Sequence, residues 1–292
     1  MYVPGHDQHK LAKILTLQTK SDCIIIDCED AVTDLMKDTA RKNTRQFLRE
    51  NYSKLQQREI CLRINSVQSK YIQADIDYLL NEPVDCLFLP KVENVDDIKW
   101  LADTMKKRNV TPMNLAIYCE SARSLFNLRD ILTEAHKYEN LLSPQAVVFG
   151  SDDFSGNLFL SSADVGIERT RDASELLYAR QKLVTTCKLY KIQAIDMVYI
   201  DYNDLDGLKE QSLQGARMGF TGKQVIHPKQ VPIVQQAFTP SAERIKWAQK
   251  LIASFEEHQK AGQGAFTFEG LMIDRPLLLQ AQYILELSKA KQ

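Results

Sequence analysis

The chain lacks the short signatures that assign a protein quickly. None of its six cysteines pairs in the C-x-x-C spacing of a structural zinc site. No apolar run approaches the roughly 20 residues of a membrane helix, which argues against a membrane partner. A glycine-rich dinucleotide fingerprint and a P-loop are both missing. There is no excess of either charge: 37 basic side chains stand against 38 acidic ones in 292 residues, a net of −1. That balance argues against a nucleic-acid coat or a polybasic membrane patch. No signal or transit segment is visible, although Met1 runs straight into strand-like Tyr-Val-Pro-Gly and a trimmed leader stays open.

What is present is a large apolar fraction, 44%, with 26% charged residues, the balance of a soluble domain with a real core. Five of the cysteines (Cys23, Cys28, Cys61, Cys86, Cys119 and Cys187 are the six) fall in apolar, β-like runs and read as buried reduced thiols. Short apolar runs recur at Tyr2–Pro4, Cys23–Cys28, Ile60–Ile64, Cys86–Leu89, Leu115–Cys119, Ala146–Phe149, Ala194–Ile200 and Gly222–Ile226. Between them lie stretches of helical period, as in Ile98-x-x-Leu101-Ala102-x-x-Met105. Eight alternations without a strong linker predict an α/β fold of the (β/α)8 TIM-barrel kind over residues 1–228. Residues 229–292 form an extension: mostly helical over Gln230–Gly262, extended over Gly264–Pro276, helical again over Leu277–Ala290. Either it closes the barrel bottom or it serves as a lid.

The predicted strands end on polar groups: Asp27, Glu29 and Asp30, then Arg63 and Asn65, Lys91 and Glu93, Glu120, Asp152 and Asp153, and Asp201. Helix capping explains one acid per loop. It does not explain an arginine and a lysine among so many acids, whereas barrel active sites are assembled at these carboxyl ends. Glu120 and one of the Asp152/Asp153 pair sit on neighbouring strands about 4.8 Å apart, close enough to share an ion. An oxygen-only pair suits Mg²⁺, or Mn²⁺, better than zinc. Strand alternation predicts that only one of Asp152 and Asp153 faces the centre, and spacing alone leaves open which. Arg63 interrupts an apolar strand either as an ion pair with Asp27, Glu29 and Asp30 or as an anion binder. The three acids orient that arginine and the waters of an ion. His6, His9, Lys10 and Lys13 read as a solvated helix face that could also hold phosphate. His227, after Ile226, reads as a structural histidine or a phosphate contact. Lys91, beside Pro90 and Glu93, reads as an ion-paired amine rather than a Schiff-base nucleophile.

In order along the chain, Tyr-Val-Pro-Gly at 2–5, Asp-Cys-Glu-Asp-Ala-Val at 27–32, Leu-Arg-Ile-Asn at 62–65, Leu-Pro-Lys-Val-Glu at 89–93, Glu120, Gly-Ser-Asp-Asp at 150–153 and Gly-Lys-Gln-Val-Ile-His-Pro at 222–228 resemble the citrate lyase β-subunit/malyl-CoA lyase family. The stretches at 194–201 and 264–274 are similar to its animal, mitochondrial branch. The resemblance implies a homotrimeric barrel with Mg²⁺, acting on acyl-CoA and 2-keto acids in a mitochondrion. It implies Glu120 and Asp153 as metal ligands, Arg63 and Asp274 as catalytic residues, and Tyr2, His9, Lys13, Ile226 and His227 around the CoA thioester. It implies that the extension carries Asp274 onto a neighbouring subunit. The implied reaction is cleavage of citramalyl-CoA to acetyl-CoA and pyruvate, with malate synthase, β-methylmalate synthase and malyl-CoA thioesterase side activities. A metal-dependent pyruvate aldolase and a non-catalytic CoA-binding barrel are the rivals. His9, where the animal branch has lysine, Ser151-Asp152 in place of Gly-Glu, and a longer 155–172 segment depart from the pattern.

Overall fold

The computed structural model describes residues 1–18, 21–55, 57–159, 170–260 and 265–289, with the side chains of 157–159 excepted. Eight strands follow one another: β1 (Tyr2–Pro4), β2 (Cys23–Asp27), β3 (Glu59–Arg63), β4 (Cys86–Leu89), β5 (Met113–Cys119), β6 (Leu142–Phe149), β7 (Gln193–Asp196) and β8 (Gly222–Lys223). They pair in parallel in sequence order. Each is followed by a helix: α1 (Gln8–Thr16), α2 (Lys37–Asn51), α3 (Ile72–Leu79), α4 (Val95–Lys107), α5 (Ala122–His136), α6 (Ser151–Phe159), α7 (Leu177–Leu189), α8 (Leu205–Met218) and, after β8, α9 (Val231–Phe238). Parallel strands need such crossovers, and the helices cover the sheet's outer face.

The sheet curls. The hydroxyls of Tyr2 on β1 and Tyr118 on β5 are hydrogen-bonded to each other, though these strands lie four places apart and a flat sheet would hold them about 19 Å from one another. Tyr2 N–H also donates to Val225 O, just beyond β8, at 3.2 Å. This is a TIM-barrel-like arrangement. One face of the strands packs inward as Ile25, Cys61, Cys86, Phe88, Ala116, Tyr118, Ala146 and Val148. The alternate residues, such as Ile24, Ile26 and Ile60, pack outward with Leu11, Ile14 and Leu48 of the helices. Helix starts are chemically marked: Asn94 and Asp97 form a capping box at α4, and Ser121 and Asp204 cap α5 and α8.

The chain divides into two compact units, Met1–Val234 and Gln235–Gln292, the boundary falling inside α9. The second unit contains α10 (Ala242–Lys260), β9 (Phe266–Phe268), β10 (Leu271–Ile273) and α11 (Arg275–Lys289). β9 and β10 are antiparallel, a hairpin where the sequence shows only an extended stretch. Its core is Ala248, Leu251, Phe255, Phe266, Ile273, Ala281 and Ile284. Of the 155–172 segment, residues 160–169 lie outside the described residues, as do 261–263 and Gly264, the first residue of the 264–274 stretch. Among the described residues no helix is long and apolar enough to cross a membrane.

Candidate active site

The carboxyl ends of β2 and β3 supply a buried fork. The register sets Asp27 beside Arg63, whose Nε and Nη2 donate to Asp27 Oδ1 and Oδ2 at 2.7 and 2.6 Å. Asp27 also accepts from the backbone N–H of Glu29 and of Ala31. Arg63 Nη1 lies 3.0 Å from Glu29 Oε2. The rings of Tyr2 and Tyr118 flank the guanidinium at 5.1 and 5.5 Å, a distance at which a ring face attracts a cation. Two of the five guanidinium hydrogens are bonded to Asp27, and Nη1 stands in ion-pair contact with Glu29 and, at 3.8 Å, Asp30, so the fork is not used up and can still donate to a ligand. Lys37 supports the loop from below, donating to Cys28 O, Glu29 O and Asn65 Oδ1.

Lys91 ties β4 to this cluster twice. Its backbone is left-handed, φ 53°, a strained choice for a lysine. That conformation aims its N–H at Glu120 Oε2, 2.8 Å away. Its Nζ donates to Glu29 Oε1 at 2.6 Å and Asp30 Oδ1 at 2.9 Å, and stands 3.9 Å from Asp153 Oδ2. Burial works against the ammonium, yet Glu29 and Asp30 keep it well above the ordinary lysine range. The amine is therefore protonated and no nucleophile. Its partners are not Glu93, as adjacency in sequence suggests. Glu93 instead accepts from Ser121 Oγ at 2.6 Å.

Glu120 follows β5 and is buried. Gly150 faces it so closely that a Cβ there would fall 2.4 Å from Glu120 Cγ. Burial first, then the charges of Glu29 and Asp153, push Glu120 up to about 8. Asp153 is half-buried and raised chiefly by burial. Asp152 is exposed. The two acids do not alternate on a strand: both lie in the first turn of α6, where the helical step of about 100° separates neighbours. Burial carries Glu29 up to about 7 against Arg63, while for Asp30 partial burial, which raises it, is outweighed by hydrogen bonding with Glu29 and Lys91, so it sits below its ordinary value.

Five carboxyls (Asp27, Glu29, Asp30, Glu120, Asp153) thus share two cationic side chains, Arg63 and Lys91. An all-oxygen donor set with surplus negative charge fits a hard divalent cation. Tyr2 OH donates to Gln224 Oε1 at 2.7 Å, and Gln224 Nε2 to Phe149 O at 2.8 Å. His9 and Lys13 are exposed on α1, four residues apart and hence on one face. His227 stacks on Tyr202 at 5.0 Å, and its Nδ1 accepts from Lys229 N–H. Ile226 is exposed. Asp201 does not end β7 but accepts turn N–H groups from Asn203 and Asp204. Asp274 belongs to the second unit. It is exposed at the start of α11, Oδ1 3.5 Å from Leu277 N. Tyr118 was not singled out by the sequence, and Gly150 and Gln224 stood there only inside the stretches at 150–153 and 222–228, with no role given to either. The signal for Tyr118 is its place two residues before Glu120, and so on the same face of its strand.

A parallel α/β enzyme with an acid-rich cluster at the carboxyl ends of its strands is the class these features define. The model of the HpcH/HpaI aldolase/citrate lyase family matches residues 1–228. The chain is 46% identical to the mitochondrial citramalyl-CoA lyase of Rattus norvegicus over 99% of its length and 85% of the relative's. It is 45% identical to the mitochondrial citramalyl-CoA lyase of Homo sapiens, over 97% and 82%. The solved CitE of Mycobacterium tuberculosis in complex with magnesium, acetoacetate and coenzyme A superposes with a TM-score of 0.76 at 24% identity, covering 99% of this chain and 96% of that one. This protein belongs to the HpcH/HpaI aldolase/citrate lyase family. It is a lyase.

Proposed function

We propose that this protein is a Mg²⁺-dependent carbon–carbon lyase of CoA thioesters that cleaves citramalyl-CoA to acetyl-CoA and pyruvate. The observation that carries this is identity of 45–46% to citramalyl-CoA lyases over nearly the whole chain. The acid cluster at the strand ends is consistent with it. Malate synthase, β-methylmalate synthase and malyl-CoA thioesterase activities accompany the main one, and the protein works in the mitochondrion, as those relatives do.

Glu120 and Asp153 would hold Mg²⁺, or Mn²⁺, with Lys91 N–H fixing the Glu120 carboxylate. When bound, the ion supplies Lewis acidity toward the carboxylate and adjacent oxygen of a 2-hydroxy or 2-keto acid. Every other task falls to the chain. In the condensation direction Asp274 removes a proton from the methyl group of acetyl-CoA. Arg63, with donors left beyond Asp27 and Glu29, stabilises the enolate oxygen of the thioester. The enolate carbon then bonds to the keto carbon and the new alkoxide takes up a proton; cleavage is the reverse. Tyr2, His9, Lys13, Ile226 and His227 border the CoA thioester, the exposed basic pair on α1 facing its phosphates. A free aspartate has a pKa of about 3.9 and is a weak base, so Asp274 needs either a dry interface that raises that value or a strongly stabilised enolate. That need is met if residues 229–292 cover the mouth of a neighbouring subunit's closed (β/α)8 barrel, residues 1–228, in a homotrimer.

The test is cleavage of citramalyl-CoA, followed by pyruvate release, with and without Mg²⁺. Activity on sugar acids with none on CoA thioesters would point to the aldolase reading instead. Asp274→Asn is expected to lose about 10²–10⁴-fold in kcat while acetyl-CoA binding, by calorimetry, is unchanged.

A further inference from the structure

The amino ends of the strands carry a group of side chains that this chemistry does not use. Cys23 opens β2, Glu59 opens β3, and Cys61 follows two residues on. Cys86, the register partner of Cys61, opens β4. Cys23 Sγ and Cys61 Sγ are 3.4 Å apart. These two sulfurs and a Glu59 carboxylate oxygen all lie within 4.8 Å of one another. Two sulfurs held tetrahedrally at about 2.3 Å from zinc stand about 3.8 Å apart. The thiols already have nearly that separation, and only the exposed Glu59 side chain has to swing inward.

A thiol–thiol hydrogen bond filling the core accounts for the sulfur contact alone. It does not account for the opening to solvent, with Cys23 half-buried and Glu59 exposed. Nor does it account for the acids gathered there: Ile60 N–H donates to Asp85 Oδ2 at 2.7 Å, and Glu59 N–H donates to the backbone carbonyl of Asp22 at 3.0 Å. Among the described residues no ion pair meets the Glu59 carboxylate. Met1 N donates to Cys23 O at 2.7 Å.

We infer that Cys23, Cys61 and Glu59 form a second metal site, for a thiophilic divalent cation of the Zn²⁺ class, at the end of the sheet opposite the acid cluster. On binding, each thiol releases its proton to solvent and forms a sulfur–metal bond. Glu59 gives the third ligand and water completes the tetrahedron. The ion ties β2 to β3. The inference stands whether or not the lyase assignment does.

The test is a titration of the reduced full-length chain with Cd²⁺ in excess Mg²⁺, reading the ultraviolet sulfur-to-cadmium charge-transfer band. An all-oxygen site cannot give that band. One Cd²⁺ per chain is expected, displaced by Zn²⁺. Cys23→Ser should lower the band and weaken binding by at least roughly 10–100-fold, the range seen when even outer partners of a metal are lost. Glu59→Gln should weaken binding with the band per bound ion preserved. Cys187→Ala, in α7, should titrate like the parent. Cys61 lies in the core and its replacement can unfold the chain, so the more accessible Cys23 and Glu59 carry the test. The site is overturned by absence of the band at stoichiometric Cd²⁺, by a Cys23→Ser variant that titrates like the parent, or by loss of the band in Cys187→Ala.

Discussion

The two ends of the parallel sheet differ in chemistry although the same strands build both. On β3, Cys61 and Arg63 point to the same side, two residues and about 6.6 Å apart. Cys61 meets thiols, and Arg63 meets carboxylates. On β2, Cys23, Ile25 and Asp27 repeat the order. Between the ends lie Ile25, Phe88, Tyr118, Ala146 and Val148, an apolar layer with Tyr118 offering its hydroxyl upward to Tyr2. The acid cluster and the thiols are thereby kept on opposite sides of an apolar layer, so a cation would meet oxygen donors alone at one end and two sulfurs with the Glu59 carboxylate at the other. The period-two geometry of a strand is what lets one segment present different donors at its two ends.

The sharpest way to break this comparison is at Arg63. Arg63→Met removes the cation from a buried pair, and stability should fall by about 3–5 kcal/mol because Asp27 is left unpaired. The folded fraction should also lose roughly 10²–10³ in kcat, the usual cost of one enolate donor. Arg63→Lys should not rescue it, since a lysine cannot make the fork. Denaturant unfolding and single-turnover rates separate the two losses. Arg180 provides the control. It makes the same fork to Asp196 at the end of β7, with both side chains wholly buried. Arg180→Met should cost a similar loss, about 3–5 kcal/mol, with kcat per folded molecule unchanged. If Arg180→Met lost as much rate as Arg63→Met, the acid cluster would have no special claim to the chemistry.

Gly150→Ala comes next. Its Cβ would press on Glu120, the carboxylate nominated for the ion. Apparent Mg²⁺ affinity should fall by roughly 10–100-fold, as when a support of a metal ligand is disturbed. Excess Mg²⁺ should restore most of the rate. A rate insensitive to added Mg²⁺ would show that Glu120 tolerates the displacement.

The strand ends were readable in the sequence where charge interrupts an apolar run, as at Asp27, Arg63 and Glu120. They were not readable where a loop stays apolar. The run from Ala194 to Ile200 looks like one strand, yet β7 stops at Asp196. Beyond it Met197 and Tyr199 remain buried while Lys223 Nζ and Gln230 Nε2 take their carbonyls, so side chains replace the ladder. The tail hairpin turns at Glu269 and Gly270, both with positive φ. Glu-Gly is a weaker hairpin signal than Asn-Gly or Asp-Gly. Tyr118 and Gln224 depend on β1, β5 and β8 coming together, which only the curled sheet decides. The difference in burial between Asp152 and Asp153 follows from the helix that starts at Ser151 rather than from strand alternation. The Lys91 pairing with Glu29 spans 62 residues, beyond any local pattern.

The smallest effect is expected at the sulfur end, and it sharpens the comparison most. Cys23 is half-buried, and its hydrogen bond to Cys61 is between two weak donors. Cys23→Ser keeps the volume and offers a better donor, so metal-free stability should change by no more than about 0.5 kcal/mol. With Zn²⁺ present, the parent should gain stability by mass action and the variant should gain little. Melting both proteins with and without Zn²⁺, in excess Mg²⁺, reads this directly. A large loss in the metal-free comparison would make the thiol pair a packing element of the sheet. Equal stability with a Zn²⁺-dependent gap would make it a binding element, and the carboxyl end should show no such gap for a thiophilic ion because its donors are all oxygen.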